Sequence, residues 1–137
     1  MTTVEDNQEW AQRIGEQTKS TIKTVKRIES KHKEFRCKKY DLSSLSPETG
    51  YDFIIFDGAN REKRFSQIAA ADIVREHLSD QFILLFDDSE RSGEQDTINL
   101  CKEILSSKGI TFFEHQVMGT ASQHLLVTEK YKGVTYY

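Results

Sequence analysis

Apolar residues in the first third of the chain recur at helical intervals. Trp10, Ile14, Ile22, Val25 and Ile28 stand three, four or eight apart and form one stripe. This predicts a mainly helical segment over 6–33, capped by Asp6 or Asn7, with Glu9 in its first turn. Gly15 and the group Thr18, Ser20 and Thr21 are points where it can break. Trp10, Ile14, Val25 and Ile28 are expected to pack on a sheet. Residues 35–40 read as a short strand, and 42–50 (LSSLSPETG) as a loop holding the only proline.

Beyond residue 50 the pattern is more regular. DFIIFD, residues 52–57, and QFILLFD, residues 81–87, are almost wholly apolar, as strands are when both faces are covered. Residues 65–78 read as a helix with Ile68, Ala69, Ile73 and Val74 inward. Residues 96–108 read as a second, with Ile98, Cys101, Ile104 and Leu105 inward and Gly109 ending it. Residues 111–116 and 124–128 form an antiparallel hairpin. Alternating strands and helices imply crossover connections. The expected fold is α/β: one Rossmann-like, mostly parallel sheet of about five strands, with helices on both faces and a C-terminal antiparallel hairpin. The strand order expected from one edge is 35–40, 52–57, 82–87, 124–128, 111–116.

Length adds that 137 residues suit one domain. Charged residues make up 30% of the chain, yet 10% aromatic content argues against disorder. The net charge of -3 gives no whole-chain pull on nucleic acid, so a nucleic-acid partner is not expected. Nine Lys and Arg nevertheless crowd residues 19–39. They read as a solvated face or as a patch for an anionic partner. No apolar run is long enough to span a bilayer, and the N-terminus lacks the features of a signal peptide, so a cytoplasmic protein is expected. Two cysteines make no disulfide framework. Cys101 reads as core, whereas the basic neighbours of Cys37 would lower its pKa. His77, late in a helix, suits the helix dipole.

Ligand sites in open parallel sheets lie outside the carboxyl ends of the strands. Two strands here end in acid: Asp57 in IIFDGANR, and Asp87-Asp88 in LLFDDSER. Each is followed by small or polar residues and then an arginine, Arg61 or Arg91. Gly58 permits a sharp turn. On adjacent strands Asp57, Asp87 and Asp88 would converge and hold Mg²⁺ through hard oxygen ligands. The alternative is that Asp57 and Asp88 cap the turns that follow. No G-x-G-x-x-G, P-loop or G-x-S-x-G motif occurs, and the four histidines lack zinc spacing.

The stretch from Tyr51 to Arg91 resembles the second half of a class I S-adenosylmethionine-dependent methyltransferase domain. YDFIIFDG is similar to that family's fourth strand and LLFDD to its fifth. VEDNQEW resembles the end of the second strand. The resemblance implies that Glu5 binds the cofactor ribose, that Asp41 contacts adenine, and that Asp57 and Gly58 line the cofactor. Asp57 and Arg61 then serve catalysis. In catechol-type members an Asp and an Asp-Asn pair at these strand ends bind Mg²⁺, and Asp57, Asp87 and Asp88 align with them. The D-G-x-x-R form is nearer to members found in sugar and polysaccharide biosynthesis. The glycine-rich first strand has no counterpart here, so the chain reads as a shortened domain, with a second copy as one way to fill the gap.

The function this implies is methyl transfer to an oxygen of a small or sugar-like acceptor, by in-line displacement at the sulfonium methyl. One alternative is a non-catalytic remnant or interaction domain of the same fold. A third is a Mg²⁺-dependent nuclease, since IIFDGAN also resembles the first strand of PIN-like ribonucleases.

Overall fold

The computed structural model describes residues 1–46, 48, 50–58 and 62–136. The chain opens with β1 (Thr2–Glu5), α1 (Gln8–Gln17), β2 (Thr21–Thr24), β3 (Arg27–His32) and β4 (Phe35–Tyr40). It continues with β5 (Tyr51–Phe56), α2 (Ala69–Glu76), β6 (Leu78–Phe86), α3 (Ser92–Ser107), β7 (Phe113–Val117) and β8 (Gln123–Val127). A 3-10 helix, Glu129–Tyr136, closes it. Among the described residues no helix is long and apolar enough to cross a membrane.

These strands form three small sheets rather than one. β1 and β2 pair in parallel across α1. β3 and β4 form an antiparallel hairpin with Arg27 opposite Tyr40 and His32 opposite Phe35. The third sheet has the order β5-β6-β8-β7, in which only β5 and β6 are parallel. The expected five-stranded, mostly parallel Rossmann-like sheet is therefore not formed. The last four strands lie in the expected order, but residues 35–40 do not join them. Their backbone groups are already paired with β3, a strand the helical reading had hidden.

The N-terminal helix is shorter than its apolar stripe suggested. Asn7 caps α1 by accepting a hydrogen bond from the Trp10 amide at 3.0 Å. After Gln17 the run from Thr18 to Thr24 holds three threonines, Ser20 and Ile22, residues that favour extended backbone. Ile22 and Val25 therefore sit on and after a strand. Val25 is buried, Ile14 partly buried, and Trp10 and Ile28 are exposed. Trp10 was expected against a sheet and is instead 55% exposed.

The core lies on one face of the β5-β6-β8-β7 sheet. Phe82, Leu84, Ile98, Leu105, Leu126 and Val74 are fully buried there, each contributing about 1.5–3 kcal/mol of transfer free energy. A second cluster joins Cys37 of β4 to Phe65, Ile68, Ala71 and Leu100, so the hairpin rests on the helical layer. α2 starts later than its apolar pattern implied because Phe65 (φ 49°) and Gln67 (φ 53°) adopt left-handed backbone. α3 starts earlier, at Ser92, where a methyl group on Gly93 would lie 2.5 Å from Ser66 Oγ. That close approach seats the helix on the 62–66 segment. Gly109 ends α3 with φ +73°, as expected.

Candidate functional site

The carboxyl end of β1 carries the most organised acidic group. Glu5 Oε1 accepts the amides of Asp6 at 3.0 Å and Asn7 at 2.9 Å, at the N-terminus of α1. A carboxylate is favoured there by the free amides and the helix dipole. Beside it, the Tyr40 hydroxyl at the end of β4 donates to Asp6 Oδ1 at 3.0 Å. Burial and the neighbouring Asp6 carboxylate push the Tyr40 phenol well above its ordinary pKa. It therefore stays a donor.

Asp41 follows Tyr40 directly. Its amide donates to Lys26 O at 2.8 Å, and its Oδ1 accepts the Ser43 amide at 3.1 Å. Hydrogen bonds from Ser43 hold the Asp41 carboxyl below the usual carboxylate range. Asp41 and Tyr40 line a cavity of about 220 Å³, whose wall also includes Ile28, Lys39, Asp72 and His77. Lys39 Nζ meets Asp72 Oδ2 at 2.8 Å across this wall. His77 is 4% exposed, and its Nδ1 has no partner. It caps the C-terminus of α2. The Tyr40 hydroxyl thus meets Asp6, the residue after Glu5, and Asp41 follows Tyr40 in the chain.

Arg27 extends the site toward the segment after β5. It lies 4.0 Å from Asp6 and 3.9 Å from Glu62, and Glu62 Oε1 accepts the Lys38 amide at 3.2 Å. Tyr40, Arg27 and Glu62 were not singled out from the sequence, and His77 was read only as a partner of the helix dipole. The signal for Tyr40 was its place at the end of a strand directly before Asp41. Arg27 was submerged in the basic run.

The acidic ends of β5 and β6 are arranged differently from expectation. Asp57 is exposed. A methyl on Gly58 would lie 3.1 Å from Gln67 Oε1, so the chain passes this glutamine closely. Asp87 Oδ1 accepts from Gln123 Nε2 at 3.4 Å. Asp88, at φ 51°, pairs with Arg91 Nη2 at 3.0 Å within a turn whose Arg91 amide donates to Asp88 O at 3.1 Å. Among the described residues no group of three or more His, Cys, Asp or Glu is placed to hold a metal ion. Asp57, Asp87 and Asp88 form no such group. Asp88 does not cap α3 through its side chain either; Arg91 occupies the cap position without a side-chain bond. Arg61 lies outside the described residues.

Two groups near these strand ends escaped the sequence reading. Glu94, in the first turn of α3, is 3% exposed, and its Oε1 has no partner. Burial pushes its carboxyl up, against the opposing influence of Ser66 and Gln67. Ser89 is wholly buried with its hydroxyl unpartnered. Cys37 also differs from expectation: burial, then Glu62, raise its thiol pKa despite the basic neighbours. The Cys101 thiol is pushed up to about 12 by burial. No protein family, curated protein or solved structure was found to match this chain.

Proposed function

We propose that the chain binds the nucleoside part of S-adenosylmethionine and serves methyl transfer to an oxygen of a small or saccharide acceptor. The observation that carries this reading is the Tyr40 bridge. One side chain touches the acid beside Glu5 and also walls the cavity at Asp41.

The residues present fit an adenosine group. Glu5 engages two amides through Oε1, and a carboxylate has further acceptor sites for a ribose diol. The cavity of about 220 Å³ is below the ~300–1,000 Å³ of drug-sized pockets, a size for one heteroaromatic base. The Asp41 carboxylate supplies a polar group for its edge. Bound there, the cofactor supplies an electrophilic sulfonium methyl. Asp57 follows the far end of β5 from His77, whose carbonyl accepts the Tyr51 amide at the strand's start, so it lies about a strand length, ~20 Å, from this pocket and is not part of it. This reading needs no divalent ion.

Titration calorimetry with S-adenosylmethionine tests it. Saturable binding is expected, weakened about 10- to 100-fold by Glu5→Ala, the loss of a charge-assisted hydrogen bond of ~1.5–3 kcal/mol. Asp41→Ala should weaken adenosine as well as the full cofactor. No heat at millimolar ligand, or binding indifferent to both substitutions, would sink the proposal.

A further inference from the structure

β5 has the sequence of an interior strand and the position of an edge strand. Its residues 53–56, FIIF, are as apolar as the FILLF of β6, which is flanked on both sides. Yet β5 ends the sheet, and Phe53 and Ile55 on its outward face are 57% and 56% exposed. The opposite edge is built otherwise. β7 carries Glu114, His115 and Gln116, and Glu114 is held by Lys102 and His124, each at 2.9 Å. Natural edges are blunted by charge, proline or bulges. From Phe53 to Phe56, β5 has none of these; its one register irregularity lies at its start, between Tyr51 and Phe53.

We propose that two copies of this chain join through β5, antiparallel about a two-fold axis at Ile54, with Phe53 of each copy opposite Ile55 of the other. Strand physics selects this register. A two-fold axis normal to the sheet keeps each side chain on its own face, so only residues of the same parity can stand opposite. An axis at Ile55 sets Phe53 against Asp57. An axis at Phe53 sets Phe56 against Gly50 and shortens the ladder. The axis at Ile54 pairs all of 52–56. It gathers the four exposed apolar side chains into two aromatic–β-branched cross-strand pairs on one face. It also sets Tyr51 against Asp57 and opposes no two carboxylates, Asp52 standing across from Phe56. The contact joins two four-stranded sheets into one of eight strands. A strand of this length contributes far fewer than the ~20–30 residues a side of a standard interface, so the dimer is concentration-dependent.

Sedimentation equilibrium across a dilution series reads this directly. The wild-type mass is expected to rise toward twice the 15.9 kDa chain at high micromolar protein. Ile55→Lys and Phe53→Lys replace exposed side chains, so folding checked by circular dichroism should persist while the mass stays at one chain. The Phe53→Lys/Ile55→Lys and Phe53→Glu/Ile55→Glu chains, each monomeric alone, should associate when mixed, because the register sets Lys against Glu at both pairs. A wild-type protein that is monomeric throughout would overturn the proposal. So would a dimer unaffected by the lysines, since another surface then holds it, or charge-swapped chains that stay apart.

Discussion

Glu94 concentrates the residue-scale physics of this protein. Its carboxyl is buried in the first turn of α3 with one oxygen unpartnered, which disfavours the charged form. Its folded pKa is thus raised above the unfolded value. Such a group favours the folded state fully below its unfolded pKa, and that contribution is lost as pH rises through the folded pKa. Glu94→Gln keeps the shape and removes the charge. In thermal or urea unfolding the variant should match the wild type in acid. Above the folded pKa it should exceed it by about 1–2 kcal/mol. A variant that matches the wild type in acid but is less stable above the folded pKa would mean that the charged form is itself held by its surroundings. The residue was invisible in the sequence because R-S-G-E reads as a solvated helix start. Only Gly93, which lets α3 settle on Ser66, carries Glu94 inward. Asp57, Asp87 and Asp88 show the reverse. Their placement at strand ends was readable, but the Asp88–Arg91 ion pair and the Gln123 contact depend on turns that no local pattern specifies.

At the scale of elements, legibility follows burial. β6, α3 and the β7–β8 hairpin have strongly patterned sequences because one sheet face organises all of them, and the sequence reading located each within a few residues. The segment from Thr18 to His32 has no such face. Its apolar spacing fits a helix and two strands alike, and β-branched and hydroxylated residues decide for strands. The β3–β4 hairpin also shows local strain. Lys33 occupies the first of two turn residues at φ 54°, and it alone of the two is positive. That is the position where type II′ turns take glycine. Left-handed backbone costs a residue with a Cβ roughly 1–2 kcal/mol, partly offset because glycine loses more entropy on folding. Lys33→Gly should therefore stabilise the protein by about 0.5–1 kcal/mol in urea unfolding. A destabilised variant would show that the lysine side chain itself supports the turn.

For the whole molecule, the decisive contrast is between an apolar C-terminal body and an N-terminal part held mainly by polar links. Of α1 only Ala11 is buried, and no residue of β1 or β2 is. The N-terminal strands meet the rest through Tyr40–Asp6, Arg27–Glu62, Lys39–Asp72 and the Lys23 ammonium on Ser44 O. Arg27 and Lys39 of the basic run are in this way clasped to Glu62 and Asp72, and Cys37 with Phe35 supplies an apolar anchor. Ion pairs that remain about a quarter exposed contribute about 1 kcal/mol each. Buried strands and helices instead open only with the whole fold. Hydrogen exchange should then divide the chain. Amides of Leu84, Leu126 and Cys101 should exchange through global unfolding alone, whereas those of β1, α1 and β2 should exchange through local opening, tens to hundreds of times faster. Each tenfold in rate corresponds to about 1.4 kcal/mol of opening free energy. Moving from low salt to 1 M salt shortens the screening length from ~10 Å or more to about 3 Å. It should speed N-terminal exchange and leave the body unchanged. Uniform protection across both parts, or exchange at β1 and β2 indifferent to salt, would show that apolar packing rather than charge joins them. Trp10 gives an independent readout: at 55% exposure its emission should be that of a hydrated indole in the folded state and shift little when the body unfolds.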